Sequence, residues 1–174
     1  HATSWNRYPV EYASAKKYIE DLGRKGEKRL LSFGSSTGLE AISLVQLYFN
    51  GDQDIKVFGV DLDEVTLLKA RRNVAAQSPN IEVGKITFFN GNEIAIGHYG
   101  PYDAIFANSV LCYHGGGYNA SEIIKHFSFQ DYEKVLKDLD HSLVVGGILA
   151  IVNSNYDFSD STIAKRYGVV RRIL

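Results

Sequence analysis

Small polar residues gather in this chain wherever an apolar run stops. The first such place is Gly34-Ser35-Ser36-Thr37-Gly38, which follows the apolar stretch Arg29 to Phe33 and precedes Glu40. Gly34 and Gly38 permit positive φ and close backbone approach, the three hydroxyls are small, and a helix beginning there would add unpaired N–H groups. Such a turn suits a polar ligand. It lacks a full G-x-G-x-x-G, so a bare structural turn in a doubly wound domain is the competing reading. The second place is Asp61, which ends the apolar run Ile55 to Val60. A carboxylate about 20 residues or a little more past a glycine turn, on the tip of the next strand, can accept both hydroxyls of a ribose. Asp61 could instead cap the following helix, although Asp63 is better placed for that. Together the two tips predict a nucleoside site.

The elements that must hold these residues follow from periodicity. Arg29 to Phe33, Ile55 to Val60, Lys85 to Phe89, Ala104 to Ala107 and Ile148 to Val152 read as short buried strands. Helical spacing joins Ala41, Leu44, Val45 and Tyr48 after the turn, and Val65 with Leu68 after Asp63. Strands alternating with helices predict an α/β fold: a three-layer, Rossmann-like domain with a mostly parallel twisted sheet flanked by helices. Pro9 marks a first helix through Tyr12, Ala15, Tyr18, Ile19 and Leu22. Ser128 with Asp131 approximates a capping box for a helix from about Phe129 to Leu143, with Gly146-Gly147 expected to end it. A last strand is expected over Val169 to Leu174.

Composition narrows the classes. The 174 residues suit one domain, and 19 lysines and arginines against 20 acids, a net charge of −1, predict neither a nucleic-acid footprint nor a membrane surface. The single cysteine, Cys112, cannot form an internal disulfide, and the apolar runs stop well short of about 18 residues; a cytoplasmic home is the expectation. The five histidines lack zinc-site spacing, so no metal is expected. Asn119-Ala120-Ser121 matches a glycosylation sequon that a cytoplasmic chain would not use. The chain opens on His1, as a trimmed product would.

Four stretches in order, SFGSSTGLEAISL, VFGVDLDEVTLLKARRN, GPYDAIFANSVLCYH and LDHSLVVGGILAIVNSN, resemble the class I S-adenosylmethionine methyltransferases. Within that class they are most similar to the chemotaxis receptor methyltransferases, and the resemblance covers nearly the whole chain. It implies methyl transfer from S-adenosylmethionine within a single domain, residues 1–174, whose segment 1–28 covers the cofactor. The cofactor-binding residues it implies are Thr3, Arg7, Gly34, Ser35, Gly38, Glu40, Asp61, Leu62, Asn92, Glu93, Ser109 and Val110. Arg7 would pair with the methionine carboxylate, Glu40 would reach the ammonium group, and Asn92 with Glu93 would lie at the adenine end. Tyr113 matches a family tyrosine near the methyl donor.

His114 is the residue best placed by sequence to take a proton from a hydroxyl or amine acceptor; a carboxylate acceptor needs no base. The departures are Asn6 where the family has an aromatic residue, and Ser109 where it has asparagine. The span Asp61 to Asn92 holds only one helix and a loop, so the family's receptor-docking β-subdomain is missing. The tail is short for a seven-stranded methyltransferase. The acceptor is left open between a protein carboxylate and a small molecule. Two alternatives are a cofactor-binding domain without turnover and an NAD(P)-dependent oxidoreductase, the latter disfavoured by the Ser-Ser-Thr-Gly turn.

Overall fold

The computed structural model describes residues 4–77, 80–113 and 120–170. Five strands, β1 (Lys28–Phe33), β2 (Ile55–Asp61), β3 (Ile86–Asn90), β4 (Tyr102–Asn108) and β5 (Leu143–Val152), form one parallel sheet in the order β3-β2-β1-β4-β5. That order grows one way from β1 to β3 and then reverses. The reversal leaves a switch point between β1 and β4, where ligands of open α/β sheets bind at the carboxyl ends.

Successive residues of a strand face opposite sides, and the core divides accordingly. On one face Leu30, Val57, Ala104 and Phe106 pack against α1 (Pro9–Leu22), α2 (Leu39–Ser43) and α3 (Glu64–Ala76). On the other, Leu31, Phe58, Ile105 and Ala107 pack against Tyr132, Leu136 and Leu139 of α5 (Phe129–His141). Asp63 caps α3 by accepting from the Val65 and Thr66 N–H groups, and Ser128 with Asp131 forms the expected capping box; each cap contributes about 1 kcal/mol. The crossover between β2 and β3 holds α3 and, among the described residues, no strand. No helix of the described residues is long and apolar enough to cross a membrane.

Four expectations change. The helix after the glycine turn is not uniform: α2 runs into a π-helical turn, Leu44–Tyr48, the local geometry that inserts a residue and is frequent at functional sites. A short helix, α4 (Ala120–His126), follows β4 where no element was expected. Gly146-Gly147 does not end α5, which stops at His141 with Ser142 as its C-cap. Instead β5 begins at Leu143, and Val144 to Gly147 bulge out of register between the Tyr102–Leu143 and Ala104–Ile148 pairs, with Gly146 at φ +77°. Val169 and Val170 carry no strand, and residues 171–174 lie outside the described ones.

Candidate active site

The glycine turn is fastened by backbone. The N–H groups of Gly34 and Ser35 both donate to the Val60 carbonyl, at 2.9 and 2.8 Å, which ties the tip of β1 to that of β2. Gly34, Ser36 and Gly38 take φ of +74°, +49° and +80°. At Gly38 the absence of a side chain serves packing, because a Cβ would lie 2.7 Å from Phe88 Cζ and 3.0 Å from Ala70 Cβ. At Gly34 a Cβ would stand 2.4 Å from Val110 Cγ2, so two residues expected at the cofactor pack face to face across the switch point. Ser35 is buried, and its hydroxyl has no hydrogen-bond partner among the described residues.

Asp61 sits at the tip of β2 and organises what surrounds it. Its Oδ2 accepts the Ser36 N–H at 2.9 Å, and Oδ1 accepts those of Leu62 and Asp63 at 2.8 and 3.2 Å. A carboxylate has about four acceptor positions, so a held Asp61 keeps capacity for further donors. Leu62 beside it is 65% exposed, an apolar side chain open to solvent next to a polar tip. Asn92 reaches it from the β3 turn, donating from Nδ2 to the Leu62 carbonyl at 3.1 Å. Glu93 is exposed, and its backbone N–H donates to the Asn90 carbonyl at 3.1 Å.

Beneath the turn lies a buried acid. Glu40 is 7% exposed; it accepts from Ser32 Oγ at 3.0 Å and Asn108 Nδ2 at 3.5 Å, and the Tyr12 phenol faces it. Burial pushes its carboxyl up to about 7, against the contacts from Ser32, Asn108 and Tyr12 and the nearby Arg7 guanidinium, which pull it down. Burial likewise pushes the Cys112 thiol up, and Arg7 again opposes. Arg7, with its guanidinium 5.2 Å over the Tyr8 ring, is therefore near both Glu40 and the loop after β4.

That loop is fastened by side chains. Ser109, at φ +54°, shares a 2.7 Å hydrogen bond with the Tyr8 hydroxyl and accepts from Asn153 Nδ2 at 2.8 Å. Farther along, Asn155 Oδ1 accepts the Tyr113 N–H, and the Tyr113 ring stacks on His126 with centroids 4.6 Å apart. Thr3 and His114 lie outside the described residues.

Arg7, Gly34, Ser35, Glu40, Ser109 and Val110 thus meet at the switch point, while Asp61, Leu62, Asn92 and Glu93 form a second group over β2 and β3. Sequence reasoning missed Tyr8, Tyr12, Ser32, His126, Asn153 and Asn155. Asn153-Ser154-Asn155 carried a readable signal, since a polar run that ends an apolar strand marks a sheet's carboxyl edge. Tyr8, Tyr12 and Ser32 carried none, because their partners are distant in sequence.

The comparisons agree on architecture. A methyltransferase from Geobacter sulfurreducens, solved with S-adenosylhomocysteine, superposes with a TM-score of 0.54 at 15% identity, covering 87% of this chain and 50% of that one. One from Thiobacillus denitrificans, also with S-adenosylhomocysteine, gives 0.51 at 20% identity, over 82% of this chain and 47% of that one. The fold is that of the class I methyltransferases. The [4+2]-cyclase SpnF shares it, with a TM-score of 0.53 at 18% identity over 79% of this chain and 43% of its own. This chain spans about half the length of these structures. No sequence-family model matches the chain, and no curated protein does.

Proposed function

We propose that this chain binds S-adenosylmethionine across the carboxyl edge of its sheet and transfers the methyl group to an acceptor, a small molecule or a protein side chain. The observation that carries the reading is Asp61, a carboxylate locked by three backbone N–H groups at the β2 tip beside an exposed Leu62. That donor set fits an adenosine, with a fixed acid for the ribose hydroxyls and an apolar platform for the base. Asn92 and Glu93 stand at the platform's rim. The opposite group fits an amino-acid moiety: Arg7 for its carboxylate and Glu40 for its ammonium, which would favour the ionised form of that acid. Ser35 and Ser109 add hydroxyls between them, and the segment from Ser4 to Tyr8 would cover this side.

When bound, S-adenosylmethionine supplies a methyl group already activated by its sulfonium. The chain's own contribution is to hold donor and acceptor in line, a matter of position rather than of acid or base strength. Tyr113, fixed by Asn155 and stacked on His126, stands next to the β4 tip where the acceptor would approach. The likeness to chemotaxis receptor methyltransferases rests on sequence motifs alone.

Because a cyclase shares the fold, architecture does not entail methyl transfer. The reading is tested by titrating the protein calorimetrically with S-adenosylhomocysteine, adenosine and NAD. We expect micromolar affinity for the first and weaker binding of adenosine. Binding of the dinucleotide alone would replace this reading with an oxidoreductase. Cofactor binding with no methylated product over a broad acceptor panel would reduce it to a binding domain.

A further inference from the structure

We infer that Tyr8 is a positioning residue that couples the N-terminal strap, Ser4 to Tyr8, to the loop after β4, so that ligand capture beneath the strap also orders the acceptor side of the site. The inference rests on the reading above, that the switch-point crevice takes S-adenosylmethionine.

The strap crosses the switch point and is anchored on both banks. On the β1 side the Asn6 N–H donates to Ser43 Oγ at 2.9 Å, and the Tyr48 hydroxyl, from the π-helical turn, donates to Asn6 Oδ1 at 2.6 Å. On the β4 side the buried Tyr8 shares its 2.7 Å hydrogen bond with Ser109. Asn6 and Ser109, the two anchor points, take φ of +49° and +54°, a left-handed conformation that costs a residue with a Cβ about 1 kcal/mol or more unless its surroundings hold it.

From Ser109 the bonding continues. Its N–H donates to the Val152 carbonyl at 2.7 Å, and its hydroxyl accepts from Asn153 Nδ2. Two residues on, the Leu111 carbonyl accepts from the Asn155 N–H at 3.2 Å and from Ser154 Oγ at 3.3 Å, and Asn155 Oδ1 holds the Tyr113 N–H. A continuous series therefore runs from the strap to Tyr113, on the side from which the acceptor would approach. Arg7, the strap's cation, lies between the anchors near Glu40 and Cys112. A carboxylate paired with Arg7 would hold the strap down, and Tyr8 would transmit that restraint to Ser109.

Hydrogen–deuterium exchange with and without S-adenosylhomocysteine, on the wild type and on Tyr8→Phe, separates coupling from support. In the wild type the ligand is expected to protect both the strap and residues 109–113. In Tyr8→Phe the strap should still be protected, protection of 109–113 should be lost, and the ligand should dissociate about fivefold faster, the size of one net hydrogen bond. Ser109→Ala, which also removes the Asn153 contact and a hydroxyl offered to the ligand, should lose the same ligand-induced protection of 109–113, and adding Tyr8→Phe to it should change that protection no further. Full ligand-induced protection of 109–113 in Tyr8→Phe overturns the coupling. If the wild type binds no S-adenosylhomocysteine, the functional reading fails instead. The coupling then stands or falls on the free protein, where unchanged exchange of 109–113 in Tyr8→Phe overturns it.

Discussion

The two halves of the sheet edge are built differently. On the β1-β2-β3 side, strands pair in unbroken register and backbone fastens each tip to the next: Gly34 and Ser35 to Val60, and Gly91 to Asp61. On the β4-β5 side the register breaks in a bulge, Ser109 and Asn153 take positive φ, and side-chain hydroxyls and amides join the loops in addition to the backbone bonds from Ser109 to Val152 and from Asn155 to Leu111. The first half presents a rigid frame of the sort a constant ligand needs. The second adds replaceable side chains to its backbone bonds, as suits a region whose partner differs between proteins of one fold.

The largest effect should come from overfilling the rigid half. Gly38→Ala combines a left-handed φ with a Cβ 2.7 Å from Phe88, and should cost about 4 kcal/mol in denaturant unfolding. Gly51, at φ +79° with nothing within 4 Å, isolates the backbone share: Gly51→Ala should cost only about 1 kcal/mol. Equal losses at the two glycines would mean that packing against α3 does not set the turn.

Next in size is the acid between the halves. Burial raises the folded-state pKa of Glu40 to about 7 from the ordinary glutamate value of 4.5, so the neutral form is the one that folding prefers. Its contribution is fully present below about pH 4.5 and is lost as pH rises through about 7, a loss of about 3 kcal/mol at roughly 1.4 kcal/mol per pH unit. Unfolding titrations across that window should show the slope in the wild type and lack it in Glu40→Gln. Affinity for S-adenosylhomocysteine should move oppositely, improving as pH rises through the same window because an ammonium prefers the ionised acid. A wild-type stability profile that stays flat between these limits would remove Glu40 from the account.

Asp61→Asn comes third. It keeps the size of the side chain but removes the charge that both ribose hydroxyls would meet, and should weaken S-adenosylhomocysteine about thirtyfold by calorimetry, a loss of about 2 kcal/mol. An affinity within threefold of the wild type would move the nucleoside away from the β2 tip.

The same contrast governs how much could be read from sequence. The rigid half is local: a strand, a glycine turn and a helix start lie within 20 residues, and Asp61 and the Asp63 cap follow from short-range pattern. Gly38 was legible as a required glycine, although its reason, contact with Phe88 and Ala70, was not. The other half depends on pairs separated by tens of positions, such as Tyr8 with Ser109 and Tyr113 with Asn155, which no periodicity encodes. Gly146-Gly147 misled for a related reason. Glycines after a helix resemble a C-cap, and only pairing with β4 turns them into a bulge.

The smallest predicted effect tests whether the second half is as separable as its construction suggests. Asn155→Ala removes the acceptor for the Tyr113 N–H but leaves the backbone bond from residue 155 to Leu111. Tyr113 is only half-buried, so water can satisfy the freed N–H, and global stability should fall by only about 1 kcal/mol. The change should instead be local, with faster amide exchange at residues 111–113 and a loosened Tyr113–His126 stack. Adenosine, which would touch only the rigid half, should bind within about twofold of its wild-type affinity, since sites without shared partners behave additively. A larger loss of adenosine affinity would mean that the β5 loop braces the β2 tip as well, and that the two halves are one structure.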